Sequence, residues 1–212
     1  MSRELRSIPS RKDILQHFDK NDVVMAQLIR KFGPMKLKRN RRYFLVLCNA
    51  IIGQQISVSA ADAIATRFGK LFNGLSPTPK RVISLSEVDL RKVGLSKQKV
   101  MYLKDLSFHF HEKTIRPHRL SYMDNEEVIR QLTEVYGIGR WTAEMFLIFS
   151  LNRADIFPVG DLGLQLALKK IYGMRQLPTV KRMRAIGRKW NPLETVGTWY
   201  AWRTQDEKII SY

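Results

Sequence analysis

Acidic residues are scarce in this sequence: its 212 residues carry 19 Asp plus Glu against 37 Lys plus Arg, a formal charge of +18. A surplus of that size excludes an acidic ligand-buffering surface and calls for a polyanionic partner, of which nucleic acid, an anionic membrane surface or an acidic protein are the classes. Cysteine is nearly absent as well. Cys48 stands alone, so no internal disulfide can form. No apolar run approaches the ~20 residues of a membrane span, and the polar stretch Met1–Lys12 lacks the apolar middle of a signal peptide. The expectation is a soluble, intracellular chain, in cytoplasm, nucleoid or nucleus. Alternating strand patterns with hairpin turn dipeptides are missing, as are low-complexity linkers and convincing repeats. His109 and His111 lie two apart and His118 follows a proline, a spacing that offers no metal site.

What remains is foldable. With 44% apolar and 26% charged residues, the chain can build a packed core, as one large domain or two small lobes, without metal or disulfide staples. Cys48 sits in the apolar run Tyr43–Ile52 and reads as a small buried hydrophobe. Apolar residues recur at three- and four-residue spacing, which predicts a nearly all-helical fold. Ser57 caps a helix whose face is Ala60, Ala61, Ile64, Ala65, Phe68 and Leu71, ending at Gly74. Thr78-Pro79 opens another, Ser86 with Asp89 resembles a capping box closed by Gly94, and Ser96 caps a helix carrying Val100, Leu103 and Leu106. Further helices are expected from Glu126 to about Val135, Arg140 to Phe149, Asp161 to Tyr172, Val180 to Lys189 and Leu193 to Lys208.

The basic residues are clustered. Lys36, Lys38, Arg39, Arg41 and Arg42 form one group. Lys169, Lys170, Arg175, Lys181, Arg182, Arg184, Arg188 and Lys189 form another, in a stretch where Asp161 is the sole acid. Solvated helix faces are the ordinary reading of such runs. Between two helical patterns lies Tyr136-Gly137-Ile138-Gly139, whose glycines permit positive φ and let another backbone approach. Amides of Gly137, Gly139 and the first turn after them point outward at a helix start, a ready phosphate site, although a purely structural hairpin also uses two glycines. Some twenty residues on, Phe157-Pro158-Val159-Gly160-Asp161-Leu162-Gly163-Leu164 delivers one carboxylate to a helix start, where an Asp also serves as an ordinary N-cap.

Taken together, Leu132-Thr133-Glu134-Val135-Tyr136-Gly137-Ile138-Gly139-Arg140-Trp141-Thr142-Ala143 and Pro158-Val159-Gly160-Asp161-Leu162-Gly163 resemble the helix-hairpin-helix DNA glycosylase superfamily. Ile51-Ile52-Gly53-Gln54-Gln55-Ile56-Ser57, Val93 to Lys99, and Trp190-Asn191-Pro192 through Trp202-Arg203 extend the likeness over roughly residues 40–205. The nearest branch is DNA-3-methyladenine glycosylase II, in a short form without an N-terminal β-domain.

The resemblance implies an all-α fold of two helical lobes within a single domain, 1–212, with the hairpin at about 126–149, the catalytic segment at 157–164 and the active site in the cleft between lobes. It implies that Asp161 is the catalytic carboxylate, stabilising the positive sugar left when an N-glycosidic bond breaks and orienting water. A solitary Asp in a basic stretch keeps repulsion of DNA low. Members that cleave the strand carry a Lys after the hairpin Arg; Trp141 stands there, implying a monofunctional enzyme without lyase activity. One cysteine excludes the four-cysteine iron–sulfur cluster of the endonuclease III branch. Trp141, Trp202 and Met145 are the implied walls of the base pocket, Met145 replacing a Tyr of some relatives. Gln54, Gln55, Gly137, Gly139, Arg140, Thr142, Lys97 and Lys99 are the implied DNA-binding residues, Gln55 filling the gap left by the flipped base. Carbonyls of Thr133, Val135 and Ile138 match those that hold a structural Na+ or K+. The implied partner is damaged double-stranded DNA, bound by a monomer, with alkylated purines as substrates. The alternatives are the same fold acting on uracil, hypoxanthine or another deaminated base, and a non-catalytic DNA-binding module.

Overall fold

Apolar spacing of three and four, opened at most helices by a side-chain cap, produces helices throughout the computed structural model, which describes residues 8–205 and contains no strand among them. In chain order the helices are α1 (Arg11–Asn21), α2 (Val23–Phe32), α3 (Tyr43–Gly53), α4 (Val58–Lys70), α5 (Pro79–Ser84), α6 (Glu87–Lys92) and α7 (Lys97–His111). There follow α8 (Pro117–Leu120), α9 (Asn125–Thr133), α10 (Arg140–Phe149), α11 (Leu162–Ile171), α12 (Val180–Trp190) and α13 (Glu194–Trp202). None is long and apolar enough to cross a membrane. The chain divides into two compact bodies: a continuous one, Asn40–Phe146, and a split one built from 8–39 and 147–205.

In the split body, α1 and α2 bury Phe18, Met25 and Ile29 in one core with Leu164, Leu168, Met183, Ile186, Trp190 and Tyr200 of α11 to α13. Asp22 is the polar centre of that core. It caps α2 by accepting from the Met25 N–H (3.2 Å), and it also accepts from the Trp190 indole (3.0 Å) and the Tyr172 hydroxyl. A buried carboxylate without such donors would cost several kcal/mol, on the order of the penalty for a broken buried pair. Burial and the neighbouring Asp22 push the Tyr172 phenol well above its usual range. At Gly197 an added Cβ would lie 2.3 Å from the Trp190 ring, so only glycine lets α13 meet that indole.

The continuous body is organised around α3 and α7. Val46, Leu47, Cys48, Ile51 and Ile52 bury one side of α3, and Val100, Leu103, Leu106 and Phe110 bury one side of α7, which also packs against α5. Cys48 is fully buried as expected, and burial pushes its thiol far up, leaving it un-ionised and inert. Ser57, Thr78 and Ser96 each accept the expected capping bond.

The structure revises several local expectations. Ser86 accepts from the Asp89 N–H (3.0 Å) but donates its hydroxyl to the Asp89 carboxylate (2.7 Å), so the return bond of a capping box is missing there. The complete box belongs to Asp124 and Glu127, which starts α9 at Asn125. The helix expected from Leu193 to Lys208 ends at Trp202, and Lys208 lies outside the described residues. Helices α1 and α2 lie outside the set expected from the sequence, although α2 carries Met25, Ala26 and Ile29 at helical spacing. Their signals are the Ser10 and Asp22 caps, masked in α1 by an apolar side reduced to Ile14, Leu15 and Phe18 among charged neighbours.

Candidate nucleic-acid interface and catalytic carboxylate

The hairpin joins α9 to α10 through a turn closed by Val135 N–H to the Leu132 carbonyl (3.2 Å) and Ile138 N–H to the Val135 carbonyl (3.1 Å). Gly137 has φ +82°, and a Cβ there would fall 2.1 Å from the Tyr102 ring. Both left-handed conformation and close approach therefore demand glycine. Asp105 of α7 accepts from the Tyr136 N–H (2.8 Å), and the Gln54 amide donates to the Gly137 carbonyl (2.7 Å). The turn is thus clamped by α7 and by the loop after α3. Its far side is open: Gly139 has nothing within 4 Å of a Cβ position. The first amides of α10 have no intrahelical acceptors, so the helix start carries positive partial charge.

Arg140 is committed within the hairpin. Its guanidinium donates to Glu126 at 3.0 and 2.5 Å and to Glu144 at 3.1 Å, tying the start of α9 to α10. The hydrogen bond from Arg140 holds the Glu126 carboxyl below its usual range. Thr133 donates its hydroxyl to the Ile129 carbonyl (2.8 Å), which ties that side chain back onto α9.

Beside the turn, the continuous body carries an open cavity of about 590 Å³. Val46, Asn49, Ala50 and Gly53 line it from one face of α3 at helical spacing. Gln54, Gln55, Lys99, Gly137, Gly139, Trp141, Thr142 and Met145, all expected at the site, line it too. Arg140, Lys97 and Trp202, the last expected as a pocket wall, do not. Asn49, Gln98 and Tyr102 also line it without being expected from the sequence: Gln98 and Tyr102, four apart on α7, read as a solvated face, and Asn49 is one polar residue among apolar neighbours of α3. Gln55 is exposed and held at φ +57°, a conformation that costs a non-glycine residue roughly 1 kcal/mol or more. Lys99 donates its ammonium to the Ile52 carbonyl near the end of α3 (2.7 Å), and partial burial lowers its pKa. It braces the loop that carries Gln55.

Asp161 and Trp202 come together in the split body. Asp161 caps α11: its Oδ1 accepts from the Leu164 N–H (2.6 Å) and from the Trp202 indole N–H (2.8 Å). Trp202 is itself stacked on Phe149, with centroids 6.0 Å apart and planes 12° apart. Gly163 leaves room for both: a Cβ there would sit 3.2 Å from the carboxylate and 3.6 Å from the indole. The approach to Asp161 is fixed from behind. Gln165 donates to the Val159 carbonyl (3.0 Å), and Thr195 of α13 stitches the preceding loop by accepting from Ile156 N–H (3.0 Å) and donating to the Arg153 carbonyl (2.6 Å). Asp161 is 8% exposed, so its carboxylate is positioned before any ligand arrives. No local signal reveals the Trp202 bond, which spans 41 positions of sequence.

Residues 48–192 match the family described as HhH-GPD superfamily base excision DNA repair protein. DNA-3-methyladenine glycosylase 1 of Schizosaccharomyces pombe is 32% identical over 204 residues, covering 93% of this chain and 87% of that protein. A crystal structure of DNA-3-methyladenine glycosidase from Bacillus halodurans is 34% identical with a TM-score of 0.83, covering 90% of this chain and 88% of that one. The S. pombe 3-methyladenine DNA glycosylase in complex with abasic DNA is 30% identical with a TM-score of 0.80, covering 94% and 98%. With its clamped Gly137–Gly139 turn and its capped, indole-bonded carboxylate, the chain belongs to the HhH-GPD superfamily of base excision DNA repair proteins.

Proposed function

We propose that this chain is a monofunctional DNA N-glycosylase that removes alkylated purines of the 3-methyladenine type from duplex DNA in base excision repair. The observation that carries the reading is Asp161, one oxygen of which is pinned by a helix N–H and an indole N–H. When the bond between base and sugar breaks, its electrons leave with the base and positive charge develops on the sugar. A fixed carboxylate stabilises that charge without reorganising. Water then bonds to the anomeric carbon, its proton passes to Asp161 or solvent, and an abasic site remains. An alkylated purine is already cationic and departs without a general acid. Trp141 occupies the position after Arg140, so no amine is present there to form the Schiff base that strand cleavage requires.

The other roles follow from placement. The open side of the hairpin, Gly137 to Thr142, takes a DNA phosphate. Trp141 and Met145 line the cavity of the continuous body, while Trp202 orients Asp161 in the split body. Gln55, exposed and already held in a left-handed conformation, plugs the gap left by the flipped base. The carbonyls of Thr133, Val135 and Ile138 are the groups that would hold a Na+ or K+, and Val135 keeps a lone pair beyond its bond from Ile138. Such a cation would add positive charge at the hairpin for a DNA phosphate; no other cofactor is required, and the protein acts as an intracellular monomer.

The test is release of 3-methyladenine, 7-methylguanine, ethenoadenine, hypoxanthine and uracil from duplex DNA by wild type and Asp161→Asn. Alkylpurines should be released and the variant should lose at least about 100-fold in rate, the scale of removing a preorganised charge partner. Release of only hypoxanthine or uracil would replace the substrate assignment. No release of any base would leave a DNA-binding module, and equal rates in both proteins would remove Asp161 from its role.

A further inference from the structure

We infer that the outward face of α12 is a phosphate-binding surface for the backbone of duplex DNA, giving the split body a grip of its own in addition to the hairpin. This rests on the DNA reading above. The helix is sharply two-sided. Met183, Ile186, Gly187 and Trp190 are buried, whereas Lys181, Arg182, Arg184, Arg188 and Lys189 are all exposed. Lys181, Arg184 and Arg188 stand at i, i+3 and i+7, a ridge about 10 Å long at 1.5 Å per residue, with Arg182 and Lys189 beside it.

Solvation alone does not account for this placement. Cations favour the last turn of a helix, which suits Arg188 and Lys189, but Lys181, Arg182 and Arg184 occupy the first turns, where the helix dipole opposes them. The pairs 181/184 and 184/188 also set like charges at repelling distances. No acid relieves them: among the described residues none of these side chains forms an ion pair with a carboxylate within 4.0 Å. An arrangement that works against the isolated helix is matched by a row of external anions. Apart from Val180 at its first position and the small Ala185, the helix exposes no apolar side chain, so the face lacks the apolar stripe that inserts into a lipid layer. A regularly spaced phosphate backbone fits the ridge.

The experiment compares wild type, the triple variant Lys181→Gln/Arg184→Gln/Arg188→Gln, and a control of equal charge, Lys12→Gln/Lys20→Gln/Lys31→Gln, whose exposed positions lie on α1 and α2 of the same body. Circular dichroism and melting establish that all three are folded. Binding to undamaged duplex is then measured across a salt series. Each phosphate that is no longer neutralised should lower the slope of log K against log salt by about 0.9, so the α12 variant should lose up to about 2.7 and the control nothing. Equal slopes for wild type and the α12 variant would overturn the inference, as would equal losses in both triple variants, which would mean a diffuse effect of net charge. Retention of the slope with loss of binding to phosphatidylglycerol vesicles would overturn it in favour of a lipid surface. If wild type bound no duplex at all, the DNA reading itself would fall first.

Discussion

Replacing Gly137 by alanine tests the hairpin at its tightest point. The substitution forces an L residue into φ +82°, which costs roughly 1–2 kcal/mol. It also drives a methyl group to 2.1 Å from the Tyr102 ring, an overlap that α7 must relieve by moving, at about 1–3 kcal/mol. The total of about 2–5 kcal/mol corresponds to a fall in Tm of roughly 4–20 °C for a chain of this size. A Tyr102→Ala background removes the overlap and leaves the conformational cost. The penalty of Gly137→Ala should therefore shrink there by about 1–3 kcal/mol, a coupling that a double-mutant cycle on thermal or denaturant unfolding measures directly. DNA affinity should fall further than stability, because the amides around Gly137 and Gly139 move with the turn. A single-variant cost below about 0.5 kcal/mol, or the same cost in both backgrounds, would refute the account of the turn.

Two lysines near the hairpin should behave differently. Lys97→Gln removes an exposed cation and should lower the salt slope of DNA binding by about 0.9. Lys99→Met breaks the bond to Ile52 and should leave that slope nearly unchanged while costing about 1 kcal/mol of stability, read by denaturant unfolding. Glu194 supplies a pH dependence. Burial and, more weakly, Asp155 raise its pKa, so the folded state keeps the proton to higher pH than the unfolded state. Its contribution to stability falls as pH rises from the ordinary glutamate range through the folded value, and the penalty is complete above it. Glu194→Gln keeps an acceptor for the Asn191 amide (2.8 Å) and should gain Tm relative to wild type as pH increases from 4 to 7; a pH-independent difference would contradict the shift.

Much of this molecule is legible in local chemistry. Ser57, Thr78, Ser96 and Asp161 announce helix starts because a capping bond reaches only three residues. The Gly137 turn is legible because positive φ selects glycine. What is not legible depends on partners distant in sequence. Trp202 reaches Asp161, Tyr102 fills the space over Gly137, and Trp190 and Tyr172 share Asp22, with nothing nearby in the chain to mark any of them. Lys99 shows the same limit from the other side: as a residue type near a helix start it suggests a phosphate ligand, and only the position of the Ile52 carbonyl gives it a bracing task. Arg140 likewise has a motif position that implies DNA and a pair of carboxylate partners that hold the hairpin together.

The order of synthesis acquires meaning from the split body. Asn40–Phe146 is continuous and can collapse as soon as it has been translated, shortening the loop between residues 39 and 147 to the span of a folded object. The pair α1 and α2, by contrast, keeps Met25, Ala26 and Ile29 without a core until α11 to α13 have emerged. On the glycosylase reading, a chain that stops before Trp202 can hold the hairpin and the Leu164 cap on Asp161 but lacks the indole bond that completes the orientation of the carboxylate. On that reading the carboxylate gains its orienting bond only once α13 has been made, so a product interrupted before Trp202 should be a poorer catalyst of abasic-site formation.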